Sequence, residues 1–142
     1  MLLVSALYFS RMVDLNDPVE HRARIDSIME ACARNNPRLG LTGALIVERG
    51  WFIQVLEGPR WAVTAMLARI AKDPRHTAMV IADMQELTER RYADRPMSFI
   101  DADTAPAELG RLPDLDVAPA ETLRARVDAI LASPVRVRVA AA

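Results

Sequence analysis

The sequence is poor in the residues that build most catalytic and metal centres. Among 142 residues there is one cysteine, Cys32, and there are two histidines, His21 and His76. A single cysteine excludes an internal disulfide and a thiolate zinc site. Neither histidine has Cys or carboxylate partners at ligand spacing, so no metal is expected. Charge of one sign is also lacking: 18 basic and 19 acidic residues leave a formal net charge of −1. A nucleic-acid partner would need a basic face, and none is expected. Apolar runs stay far short of the roughly 20 residues that span a bilayer. The N-terminal stretch Met1-Leu2-Leu3-Val4-Ser5-Ala6-Leu7 has no basic leader and no Ala-x-Ala site. It reads as a first strand rather than a signal peptide, and a cytoplasmic protein without membrane contact is the expectation. No GxSxG, P-loop or GxGxxG fingerprint is present. Ser10 and Ser98 have no obvious base; Glu57, at a strand end, is in principle a candidate acid or base, with a surface carboxylate beside a turn the plainer reading. A non-enzymatic role is therefore expected.

What is present centres on Trp51-Phe52-Ile53-Gln54-Val55-Leu56-Glu57-Gly58. Aromatic and branched residues between Gly50 and Gly58 predict a strand. Alternation places Trp51, Ile53 and Val55 on one face, and Phe52, Gln54 and Leu56 on the other. Both faces are apolar, so both require cover. Gln54 is the misfit, because a buried amide without partners costs about 1–3 kcal/mol.

The remaining elements follow in order. Residues 2–9 read as an inner strand, with Tyr8 on the same face as Val4 and Ala6. Asp17 is a plausible N-cap and Pro18 a first-turn residue for a helix whose apolar stripe is Ile25, Ile28, Met29 and Cys32. Asn35-Asn36-Pro37 reads as its end. A second strand over roughly 41–47 joins the central one through the tight connection Glu48-Arg49-Gly50. After Gly58-Pro59 a second helix carries Val63, Met66, Leu67 and Ile70 and stops at Asp73-Pro74. Residues 78–84 read as a fourth strand and 97–100 as a fifth. The order β-α-β-β-α-β-β is the ferredoxin-like α+β sandwich: a five-stranded mixed sheet with two helices on one face. Residues 1–100 form the domain and 101–118 a linker containing Pro106 and Pro113. Residues 119–142 form a C-terminal cap and tail, whose helix (119–132) presents Leu123, Val127, Ile130 and Leu131. This helix, or a partner subunit, is expected to cover the sheet's second face.

Tyr8, Asn35, Asn36, Gln54, Arg69 and Arg75 lie at element ends and are candidates to converge on the helix-bearing face. Amides offer both donors and acceptors, which suits a planar heterocycle with an alternating edge, such as a flavin or pterin. Basic residues near Arg75-His76 are candidates for a phosphate. Taken singly, each has a plainer reading: a rim tyrosine, a helix stop, a solvated arginine, a core methionine.

Together, Leu7-Tyr8-Phe9-Ser10, Arg34-Asn35-Asn36-Pro37, Leu41-Thr42-Gly43-Ala44-Leu45, Phe52-Ile53-Gln54-Val55-Leu56-Glu57-Gly58 and Asp73-Pro74-Arg75-His76 resemble the BLUF family of FAD-using blue-light sensors. Arg90-Arg91-Tyr92 and Met97 continue the resemblance, which covers about residues 1–100. It implies a photoreceptor, with flavin (FAD, or FMN or riboflavin in its place) held between the two helices. It implies photochemical roles for Tyr8 as electron and proton donor, for Gln54 as the rearranging amide, and for Met97 as its sensor. It implies that Asn35, Asn36 and Arg69 meet the flavin edge, that Ile28 and Ile70 sandwich the ring, and that Asp73, Arg75 and His76 stand near the ribityl and phosphate end. The product would be a red-shifted signalling state, passed to a separate downstream protein or to a changed homo-oligomer, such as a dimer. One departure stands out: many members carry tryptophan two residues before the methionine, where this chain has Arg95, followed by Pro96. Two other readings remain at this point. One is a flavin-free interaction module of the same fold. The other is an enzyme such as an acyl-phosphate hydrolase, for which no phosphate-cradling arginine loop is evident.

Overall fold

The computed structural model describes residues 2–13, 17–93, 97–102, 110–132 and 137–139. Strands are β1 (Leu3–Met12), β2 (Thr42–Glu48), β3 (Trp51–Pro59), β4 (His76–Leu87), β5 (Ser98–Asp101) and β6 (Val137–Val139). Helices are α1 (Pro18–Leu39), α2 (Arg60–Ala71) and α3 (Ala120–Ala132). The sheet runs β4-β1-β3-β2-β5-β6. β3 lies antiparallel between β1 and β2, the split β-α-β arrangement expected of the ferredoxin-like fold. β5 joins β2 in parallel, and β6 pairs antiparallel with β5. The five anticipated strands form, and the tail supplies a sixth.

The helix signals act as read, with one correction. Asp17 Oδ1 accepts the Val19 N–H at 2.9 Å, and Pro18 opens α1. Asn35-Asn36-Pro37 does not end the helix, which continues to Leu39. Pro37 sits inside the last turn, and Gly40 closes it in the left-handed region at φ 69°. The Leu41 N–H then bonds the Asn36 carbonyl at 2.8 Å, so the freed carbonyls of the last turn are satisfied one turn later than the proline suggests. The β2–β3 connection has Arg49 at φ 50° and Gly50 at φ 81°. Positive φ at both central positions is the two-residue turn whose twist suits a hairpin. β4 begins at His76 rather than near residue 78 and so brings His76 onto the sheet.

Two apolar layers follow from strand alternation. On one face Val4, Ala6 and Tyr8 of β1 and Phe52 and Leu56 of β3 pack under Ile25 and Met29 of α1 and Val63, Met66 and Leu67 of α2. On the other, Leu7, Phe9, Ile53, Val55, Ala44 and Ile46 meet Leu123, Val127 and Ile130 of α3. Burying each such aliphatic side chain is worth about 1.5–3 kcal/mol. The expectation that α3 covers the second face is met. Part of the segment read as linker joins it, with Leu115 buried in the same layer. Polar ties fasten α3 as well. Arg124 reaches Asp83 and Ser5, and Arg126 pairs with Glu48 at 2.6 Å.

Glu57 corrects the sequence reading more sharply. It is not a surface carboxylate but has 0% exposure at the end of β3. Hydrogen bonds from Thr42 Oγ1 (2.9 Å), the Arg91 N–H (3.0 Å) and the Tyr92 N–H (2.6 Å) compensate its burial.

Candidate functional site

A cleft of about 610 Å³ opens between α1 and α2 above β1 and β3, a volume typical of small-molecule sites. Sheet register builds its floor. Tyr8 stands directly opposite Gln54 on the neighbouring strand, and Leu45 stands opposite Gln54 on its other side. Because both Tyr8 and Gln54 face the helices, the Tyr8 hydroxyl donates to Gln54 Oε1. The Gln54 Nε2 then donates to the sulfur of Met97 at 3.5 Å. Tyr8 and Gln54 are each 4% exposed and Met97 is wholly buried. Burial pushes the Tyr8 phenol well above its ordinary pKa, so it holds its proton. The misfit amide of the central strand thus has a partner at each end.

All ten residues anticipated around a cofactor line this cleft: Tyr8, Ile28, Asn35, Asn36, Gln54, Arg69, Ile70, Asp73, Arg75 and His76. Their situations differ. Asn36 is buried, Asn35 half-buried, and Arg69 stands exposed at the lip. Ile28 and Ile70 are half-buried on the facing helices, where helical periodicity turns their stripes partly to the core and partly to the opening. Asp73 holds Arg75 through a paired contact, with the guanidinium Nε at 2.9 Å, and Arg75 also reaches Ser27 Oγ at 3.1 Å. The guanidinium keeps the Asp73 carboxyl below the usual carboxylate range. Met97 sits behind Gln54 rather than on the cleft wall.

His76 is placed differently from a phosphate ligand. Its Nδ1 lies 2.7 Å from Ser10 Oγ and its Nε2 faces the Ile70 carbonyl. With both nitrogens engaged, it presents a ring to the cleft, near Tyr8 and Phe52 at centroid distances of 6.5 and 6.3 Å. The Ser10–His76 contact gives Ser10 a base, yet Ser10 is fully buried, out of reach of a substrate.

Other lining residues were not singled out for a ligand: Ser27, Cys32, Phe52 and Lys72 among them. Cys32 belongs to the α1 stripe and reads as core, and burial pushes its thiol up to about 11. Phe52 shares its strand face with Gln54, which was the available signal. Trp51 lies on the opposite face against Phe9 (5.9 Å), with the Arg11 guanidinium 4.9 Å over its ring, and Trp61 is exposed on α2. Neither lines the cleft. Arg95 and Pro96 lie outside the described residues. No group of His, Cys, Asp and Glu suited to a metal occurs among the described residues, and none of their helices is long and apolar enough to cross a membrane.

The donor set fits a flavin. Amide and phenol groups on the floor match an edge of alternating carbonyl and N–H, apolar side chains on two helices match ring faces, and charged groups cluster at the lip. Comparison with known proteins agrees. Residues 3–98 match the family model BLUF, "Sensors of blue-light using FAD". The BLUF protein BlrB, solved in its dark state, is 38% identical with a TM-score of 0.67 over 76% of this chain and 78% of that one. BlsA in its photo-activated state superposes with a TM-score of 0.80 over 94% of this chain and 98% of that one; at 19% identity this likeness speaks to the fold. The photoactivated adenylate cyclase subunit beta of Euglena longa is 39% identical over 71 residues, 50% of this chain but 8% of that protein. The chain thus spans a small part of that relative. From residue 3 to residue 98 this chain belongs to the BLUF family, the sensors of blue light that use a flavin.

Proposed function

We propose that the chain is a blue-light photoreceptor in which Tyr8, Gln54 and Met97 form the switching relay. The observation that carries this reading is the continuous contact from the Tyr8 hydroxyl through Gln54 to the Met97 sulfur. A bound flavin supplies the light absorption and a transient acceptor for an electron and a proton from Tyr8. Tyr8 is suited to donate because its buried hydroxyl is already committed to Gln54 Oε1, which gives its proton a direction. Gln54 has two unlike ends. With Oε1 committed to Tyr8, its Nε2 is the end offered to Met97. Rotation or tautomerisation of the amide exchanges acceptor and donor. A thioether accepts weakly and cannot donate, so an Oε1 turned toward Met97 has no bond to make. Each such bond is worth about 1 kcal/mol, enough to bias a two-state element.

Around the relay, Asn35, Asn36 and Arg69 orient the heterocycle's edge, and Ile28 and Ile70 exclude water from its faces. Asp73 holds the Arg75 guanidinium at the cleft, where it would meet the ribityl and phosphate end of a bound flavin, and the engaged ring of His76 would form part of the wall beside it. The absorption spectrum of the flavin-loaded protein before and after blue light tests the reading. A red-shifted band that decays in the dark is expected. Gln54→Leu should retain flavin and lose the shift; a normal shifted state in that variant would remove Gln54 from the relay.

A further inference from the structure

The connection from β4 to β5 is gripped by β3 at two places. At its exit, Met97 takes the Gln54 amide. Near its entrance, the buried Glu57 carboxylate holds the backbone N–H groups of Arg91 and Tyr92. The Arg90 guanidinium locks the same corner. It donates to Thr42 Oγ1 at 2.9 Å, the Glu57 carbonyl at 3.2 Å and the Gly40 carbonyl at 2.6 Å. The side chains of the two held residues then reach α3. Arg91 pairs with Asp128 Oδ2, and the Tyr92 hydroxyl donates to Asp128 Oδ1 at 3.1 Å. One carboxylate on α3 therefore receives both.

We propose that Asp128 is a positioning residue for the light response. It ties α3 to the Arg91–Tyr92 turn, so that loss of the Gln54–Met97 contact is felt at α3. This rests on the photoreceptor reading above. Coupling of this kind is reciprocal: if release of Met97 loosens α3, then an α3 tied through Asp128 favours the Met97-engaged arrangement by the same factor. Among the described residues, other polar fastenings of α3 lead elsewhere, Arg124 to Asp83 and Ser5 and Arg126 to Glu48 and the Gly110 and Arg111 carbonyls, while its apolar stripe shares a layer with Ile100 of β5. They and the apolar stripe keep α3 on the sheet when Asp128 is changed. The Arg91 and Asp128 side chains are 46% and 40% exposed, so Asp128→Asn leaves no buried charge behind.

The test is Asp128→Asn in the full flavin-loaded chain, with two readouts: dark recovery of the red-shifted band, and the light-minus-dark difference in hydrogen exchange over residues 120–132. The size of the red shift should match the wild type, because Asp128 does not line the cleft. Recovery should slow by roughly threefold to tenfold, the scale of one or two hydrogen bonds to a half-exposed charge. The light-dependent exchange of α3 should disappear. Tyr92→Phe removes one bond to the same carboxylate. It should slow recovery in the same direction, and adding it to Asp128→Asn should have little further effect. A merely structural tie would lower the melting midpoint yet leave recovery and light-dependent exchange as in the wild type, and that result overturns the proposal. So does strict additivity of the two substitutions. A wild-type chain that binds flavin but shows no red shift at all would instead overturn the photoreceptor reading, and this proposal with it.

Discussion

Tyr8→Phe isolates one bond of the relay. The substitution keeps the ring, which is 4% exposed and packed among Val4, Ala6 and the α1 residues, and deletes only the hydroxyl. What it leaves behind is Gln54 Oε1, a buried amide oxygen that has lost its donor. Leaving such an acceptor unpaired costs about 1–3 kcal/mol, more than the net value of an ordinary hydrogen bond. Urea unfolding has a slope of about 1–3 kcal/mol/M for proteins of this size, so the midpoint should fall by roughly 1 M with the slope unchanged. The chain should still fold and bind flavin, since the apolar faces of α1 and α2 and the amides of Asn35 and Asn36 are untouched. Blue light should then produce no red-shifted band, because phenylalanine has neither a proton to give nor a readily oxidised ring. The decisive measurement pairs a urea titration with a light-minus-dark spectrum on the same preparation. An unchanged midpoint together with a wild-type red shift would refute the reasoning: Tyr8 would then be packing alone.

Other consequences are as direct. Gly43→Ala should destabilise the chain by about 3 kcal/mol or more, since a Cβ there would lie 2.0 Å from the Val55 carbonyl oxygen across the β2–β3 pair; a melting midpoint within a degree of wild type would contradict it. Raising the pH above 10 should erode stability, by up to about 1.4 kcal/mol per pH unit for the buried Tyr8 phenol and by less for the half-buried Tyr92. The sign follows from Tyr8 and Tyr92, whose folded pKa values are raised, so that the folded state keeps protons the unfolded state releases. Denaturant midpoints between pH 9 and 11 measure the effect, and Tyr8→Phe should reduce it. Cys32, with its thiol at about 11 against an ordinary 9, holds roughly a hundredfold less thiolate at pH 8 than an unshifted thiol. Alkylation should be slowed accordingly, and slowed again by flavin, since Cys32 lines the cleft; labelling at the rate of an exposed cysteine would count against the site.

Most of the architecture was legible because local rules and the global fold agree here. Period-two alternation in Trp51–Leu56 and the stripes Val63/Met66/Leu67/Ile70 and Leu123/Val127/Ile130 each specify a face, and each face is buried where a face was needed. The misses have separable causes. Pro37 carries a stop signal, and its missing N–H forfeits one bond to the carbonyl four residues earlier, but only two more residues stay helical before Gly40 supplies the closure. Glu57 looks like a surface residue because carboxylates usually are. Its donors come from Thr42 and the backbone of Arg91 and Tyr92, and no spacing rule connects position 57 to 91. His76 likewise joins Ser10 only because β4 starts early.

By itself, the sequence determined the α+β class, the element order, the two apolar faces, the resemblance to flavin-using light sensors and the identity of the odd amide, Gln54. All of these depend on residues near one another in the chain or on a recurring set of residue types. Only the tertiary structure decided what that amide touches. Tyr8 meets it because β1 and β3 pair in one register, and a slip of one residue would turn Tyr8 or Gln54 to the α3 face. Met97 meets it although no strand pairing joins β5 to β3, because β5 lies beside β2, one strand away. The reach of that site toward α3, through Glu57, Tyr92 and Asp128, is likewise a matter of contacts between distant residues, and such contacts exist only once the sheet has closed and its second face has been covered.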